Sequence, residues 1–183
     1  MLPLGSKAID FTLFDTTTGV EKNLAELQSD KATVIAFICN HCPFVVHIED
    51  KFLEIAHNYQ QKGVSFIAIS ANNIDTHPED HPDLMAEHAK EKGYTFPYLY
   101  DATQDTAKAY KAACTPEFYI FDKEMKCVYH GRFDASSPGN PIPVSGEDLT
   151  MALDDVLLGN KVSKPQQPSM GCNIKWRVPG TKQ

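Results

Sequence analysis

The sequence predicts an α/β fold with a mixed central sheet flanked by helices, an N-terminal β extension and an irregular C-terminal tail. Three observations lead there. The runs "TVIAFI" (33–38) and "VSFIAIS" (64–70) are continuous, β-branched and apolar, as strands buried on both faces of a sheet are. Between them Val45, Ile48, Phe52, Ile55, Ala56 and Tyr59 fall on one helical stripe, which a turn at Gly63 closes. Farther on, "EFYIFD" and "KCVYHGRFD" read as an antiparallel pair joined by a turn at Asp122 to Met125.

The other elements follow in order. "AIDFTL" (8–13) alternates loosely as a strand, and "DTTTG" turns into "VEKNLAEL". After residue 70 come a proline-rich acidic loop, "ANNIDTHPEDHPD", a helix from about Leu84 to Glu91, and a short strand at "YLYD". Asp101 with Gln104 forms a capping-box pattern for a helix through "TAKAYKAA". A loop rich in Pro, Gly and Ser (135–146) leads to a helix capped by Ser145, with the stripe Leu149, Ala152, Leu153, Val156 and Leu157 and an end at Gly159. Residues 160–183 have no periodicity, and the chain holds no internal repeat.

A length of 183 residues suits one domain, 1–183, with a core of about 8–158 and a tail of 159–183. The composition, 42% hydrophobic and 22% charged, is that of an ordinary globular protein. A net charge of −7 works against nucleic acid, whose binding needs Lys and Arg to neutralise phosphates. The N-terminus lacks a basic segment followed by an apolar core, and no window approaches 18 apolar residues, so a cytoplasmic protein without membrane association is expected. Five cysteines (39, 42, 114, 127 and 172) are an odd number in a chain too large to need disulfide staples. In a reducing compartment they point to redox or metal chemistry.

The chemistry concentrates at "CNHCP", Cys39 to Pro43, between a strand and a helix. A thiol attacks as thiolate and needs a local positive potential, which the unpaired N–H groups and dipole of a helix start supply. Proline favours the first helical position, so Pro43 marks the helix entry and makes Cys42 the N-cap and the activated thiol. The other register, with Cys39 as N-cap, puts Pro43 at about the fourth helical position, where proline is disfavoured. His41 could add positive charge or shuttle a proton, and Cys39 is near enough to form a disulfide if the loop folds tightly. A metal site of Cys39, His41, Cys42 and a distant fourth ligand is the rival, weakened because adjacent His41 and Cys42 reach one ion poorly. No metal and no cofactor are expected.

The element order matches the thioredoxin fold. In that fold a cis-proline loop faces the redox cysteine, and "ACTPEFYIF" puts Thr115-Pro116 there, bringing Cys114 close to Cys42. The segments "AIDFTLFD", "FICNHCPFVVHI", "GYTFPYLYDATQDTAKAY", "CTPEFYIFD", "YHGRFD" and "PSMGCNIKW" together resemble the peroxiredoxin-like (AhpC/TSA or redoxin type) members of the thioredoxin superfamily, and more narrowly small proteins with a CNHCP core. The resemblance matches Cys42 to the first cysteine of the thioredoxin CxxC. It implies a thiol-disulfide oxidoreductase or antioxidant protein in which Thr115 and Pro116 dock the substrate. Two departures stand out. Val45 stands where a thioredoxin has its second cysteine, so Cys39, Cys114 or Cys172 would have to resolve Cys42. Cys39 stands where a peroxiredoxin has Thr or Ser, and the peroxiredoxin arginine near Pro116 is missing, unless Arg132 substitutes.

The resulting expectation is that Cys42 attacks a protein or small-molecule disulfide, or a peroxide. Cys39 resolves it, and an external thioredoxin- or glutathione-like thiol resets the pair. The alternatives are an atypical peroxidase and a non-enzymatic redox sensor or metal-binding module. The tail carrying Cys172 either folds back over the site or merely packs, with Trp176 tying it down. Cys127 reads as structural. In the loop 72–83, with His77 and His81, the acidic Asp75, Glu79, Asp80 and Asp83 allow a divalent-ion site, but the loop reads first as a solvated lid over the active site; His47, His57 and His130 read as partly buried or surface residues.

Overall fold

The computed structural model describes residues 2–180; the last three residues of the predicted tail lie outside the described residues. Among the described residues nine strands form: β1 (Thr12–Asp15), β2 (Val20–Asn23), β3 (Ala32–Phe37), β4 (Val64–Ser70), β5 (Tyr98–Tyr100), β6 (Cys114–Thr115), β7 (Glu117–Asp122), β8 (Cys127–Gly131) and β9 (Cys172–Asn173). The helices are α1 (Leu24–Leu27), α2 (Pro43–Gln60), α3 (Pro82–Lys92), α4 (Asp105–Ala109) and α5 (Glu147–Leu157). Seven strands make one sheet in the order β2-β1-β5-β4-β3-β7-β8, while β6 pairs with β9 apart from it. β3, β4 and β5 run parallel; β1 and β7 flank them antiparallel, and β2 and β8 pair antiparallel with β1 and β7 in turn. The chain has the mixed α/β architecture of the thioredoxin fold.

The alternation of β3 explains the two cores. Val34, Ala36 and Ile38 face one side and meet the stripes of α2, α3 and α5; Ile35 and Phe37 face the other and meet α1, α4 and Phe11. On the first side Phe52 of α2 is ringed by Phe66, Phe96, Phe118 and Phe133, with centroids 5.3–6.2 Å away. Truncating such a side chain to alanine costs about 3–5 kcal/mol, so this cluster holds α2 firmly on the sheet. Among the described residues no helix is long and apolar enough to cross a membrane.

Several local readings are corrected. The first strand begins at Thr12 rather than residue 8, because Ile9 is held by the Tyr110 hydroxyl, which accepts from its N–H and donates to its carbonyl. Asp101 and Gln104 form no capping box: Gln104 is the N-cap of the short α4 in a left-handed conformation, and Asp101 accepts from Ala107 N at 2.8 Å. The cap of α5 is Gly146 (φ 69°), not Ser145; a Cβ there would run into Ile55 and Phe133. His130 is fully buried, stacked on Tyr119 and 2.8 Å from Glu117. The tail, aperiodic in sequence, contributes β9.

Candidate active site

The parallel pairing of β3 and β4 sets the loops that follow them side by side, at the carboxyl ends of the central strands. The first loop is Ile38–Cys42 and the second begins at Ala71. Pro43 is the first residue of α2 and Cys42 its N-cap, with no side-chain hydrogen bond capping the helix. The Cys42 sulfur therefore lies at the positive end of an 18-residue helix.

Cys42 and Cys39 are both buried, at 0% and 1% exposure. The hydrogen bond from the Cys39 thiol is the largest influence holding the Cys42 thiol below the ordinary range; burial opposes it, and Cys172, Thr115 and the Val45 N–H assist. That same bond, with burial, pushes Cys39 well above the ordinary thiol range. One contact runs the other way: the Cys42 thiol lies 3.3 Å from the Thr115 carbonyl, which can only accept a proton donor. Several donors outweigh one acceptor, so the ionised form of Cys42 is favoured. The Cys39 sulfur also faces the Thr115 hydroxyl at 3.7 Å.

Thr115-Pro116 is cis, as the fold resemblance led us to expect. The edge it forms is not free, however. β9 pairs antiparallel with β6, setting Cys172 opposite Thr115 and Asn173 opposite Cys114. Gly171 passes so close to the Thr115 carbonyl that no Cβ fits. Farther along, Ile174 N donates to Ala113 O, Lys175 N to Asn72, and Gln104 binds both Lys175 O and Arg177 N. The tail thus folds back over the site, and the docking edge expected at Thr115 and Pro116 is occupied by the chain itself. Burial raises the Cys172 thiol to about 11 and the Cys114 thiol to about 12. Cys127 is buried on β8 away from this group, its thiol on the Tyr129 carbonyl.

The remaining candidates separate. His41 Nδ1 lies 2.6 Å from Asp80 Oδ2, and its ring stacks on His77. Arg132 gives its Nε to Asp148 at 2.5 Å, so its charge is engaged by that carboxylate. The sequence did not single out Asp80. Its carboxylate is fully buried, accepts from Asn40 N and Asn72 Nδ2 at 2.9 Å, and ties the second loop to the first. The loop from residue 72 is anchored by the buried Asn72, Asn73 and Asp80, while Asp75, Glu79, His81 and Asp83 are exposed to solvent. Nothing in the sequence distinguishes Asp80 from Asp75, Glu79 or Asp83; only the packing of the two loops does.

A model of the AhpC/TSA family matches residues 4–130. Among solved structures, a conserved protein from Geobacillus kaustophilus is 52% identical with a TM-score of 0.96, covering 99% of this chain and 95% of that one. A hypothetical protein from Sinorhizobium meliloti 1021 is 45% identical with a TM-score of 0.94, covering 97% of each chain. The peroxidoxin BcpB of Mycobacterium tuberculosis, 18% identical with a TM-score of 0.63 over 87% of this chain and 98% of that one, shares the fold. A search of curated proteins found no match.

Proposed function

The chain belongs to the AhpC/TSA family, and on that premise we propose that it is a thiol-disulfide oxidoreductase of thioredoxin type whose nucleophile is Cys42. The observation that carries the reading is the buried Cys42 sulfur at the N-cap of α2, facing Thr115 of the loop before cis-Pro116. The Cys42 thiolate attacks one sulfur of a disulfide, and the other sulfur leaves as a thiolate that takes a proton. Cys39, its proton released as the mixed disulfide forms, attacks the Cys42 sulfur and expels the substrate thiol. A thioredoxin- or glutathione-like thiol, in a reducing compartment such as the cytoplasm, then reduces the Cys39–Cys42 bridge.

A second reading, toward peroxides and other small oxidants, is favoured by the burial of Cys42 beneath β9. The thiolate takes one peroxide oxygen and becomes a sulfenic acid while the alcohol or water leaves; a second thiol condenses with it and releases water. Against full peroxidase power stand Cys39 in the place of a hydroxyl residue and the engagement of Arg132 by Asp148. In either case Cys172, opposite Thr115 and less buried than Cys39, competes as resolving thiol, with Cys114 farther back in the same group.

Mass spectrometry of the protein poised with reduced and oxidised glutathione tests the reading. A Cys39–Cys42 bridge that disappears in Cys42→Ser is the expected outcome, and a Cys42–Cys172 bridge would reassign the partner. Absence of any bridge to Cys42 at every poise would end the two-cysteine mechanism.

A further inference from the structure

We propose that the reduced CNHC loop is a metal site in which Cys39 Sγ, His41 Nδ1 and a carboxylate oxygen of Asp80 hold one divalent, zinc-like ion. These three ligand atoms lie within 4.8 Å of one another. A tetrahedral ion with bonds of about 2.0–2.3 Å sets its ligands roughly 3.2–3.8 Å apart, so small side-chain adjustments suffice. Sulfur, imidazole nitrogen and carboxylate oxygen are the donor types zinc takes, and three protein ligands leave its fourth position open.

The state of His41 and Asp80 supports this independently. His41 Nδ1 is buried and, although 2.6 Å from Asp80 Oδ2, lacks the alignment of a hydrogen bond. Glu79, half-exposed at 3.8 Å, is its other carboxylate neighbour. Asp80 has 0% exposure, and among the described residues its only ion-pair partner is that imidazole. A buried carboxylate without Lys or Arg is costly unless a proton or a metal neutralises it. A doubly charged ion with the Cys39 thiolate, the Asp80 carboxylate and neutral His41 makes a buried group of zero net charge.

The surroundings orient these ligands as outer partners of metal sites do. Asn40 N and Asn72 Nδ2 each hold a different oxygen of Asp80, Tyr98 fixes the Asn40 side chain, and His77 stacks on the His41 ring 5.4 Å away. Binding displaces one proton from the Cys39 thiol to solvent as the metal–sulfur bond forms, with no electron transferred. Oxidation of Cys39 to a disulfide removes the only sulfur ligand and releases the ion, so metal and disulfide exclude one another.

Chelator-treated reduced protein titrated with zinc against a chromophoric chelator tests the site. One equivalent bound with a dissociation constant below about 1 μM is expected. Cys39→Ser, His41→Gln and Asp80→Asn should each weaken it about a hundredfold or more, with Cys127→Ser unchanged. His41→Gln lies at the rim, and an unaltered metal-free unfolding midpoint shows that its loss is not misfolding. Cobalt in place of zinc should give a thiolate charge-transfer band absent in Cys39→Ser. Zinc binding that persists in Cys42→Ser separates this site from the redox reading, which that variant abolishes. No binding, or binding that survives both His41→Gln and Asp80→Asn, overturns the proposal.

Discussion

The low proton affinity of Cys42 comes chiefly from the Cys39 thiol, helped by Cys172, Thr115 and the Val45 N–H of the first turn of α2. Because the folded pKa is depressed, the thiolate persists as pH falls below the usual thiol range. The rate of alkylation at Cys42 by iodoacetamide should therefore hold nearly level from pH 8 down to pH 6, where an ordinary thiol loses roughly a hundredfold. Cys39→Ala removes the leading donor, so the profile should move up in pH and the pH 6 rate should fall; an unchanged profile would assign the effect to Cys172, Thr115 and the helix start instead. The sign for stability follows. Cys42 favours the reduced fold above the unfolded thiol pKa and loses this contribution as pH falls through its lower folded value. Cys39, whose folded pKa is raised, favours the fold below the unfolded value and loses that contribution as pH rises.

Among the elements, β9 decides how the site is reached. Its two residues pair with β6, and the close approach of Gly171 to the Thr115 carbonyl demands a residue without a Cβ. Gly171→Ala should lift this segment and raise alkylation of Cys42 by about tenfold, the factor that roughly 1.4 kcal/mol of lost local stability produces. A rate within twofold of wild type would mean that the strap opens freely already. α2 has the complementary role: its start is fixed by Pro43 in the chain and the helix is held on the sheet by the aromatic cluster around Phe52. Pro43 and the α2 stripe were legible because both signals are local. The pairing of β6 with β9 was not, since two-residue strands 57 positions apart leave no periodic trace.

For the molecule as a whole, the joining of the two loops and the tail over one end of the sheet produces a site with buried thiols and a filled docking edge. Low-molecular-weight oxidants should accordingly oxidise Cys42 faster than a folded protein disulfide does. Parallel stopped-flow measurements with glutathione disulfide and a protein disulfide would show the gap, and Gly171→Ala should narrow it by admitting the larger substrate; equal rates in the wild-type protein would contradict the covering role of β9.

By itself the sequence determined the α/β class, the two buried central strands, the hairpin and the position of Cys42 at a helix start. Those features rest on hydrophobic period and on proline's preference for the first helical turn, which act between near neighbours. Tertiary structure alone decided which residues share the site. Asp80 meets His41 because parallel β3 and β4 bring their loops together, and Cys172 meets Cys42 because the tail completes a strand pair against β6. Arg132 is drawn off by Asp148 for the same reason: side-chain partnership depends on packing between distant segments, and no spacing along the chain encodes it.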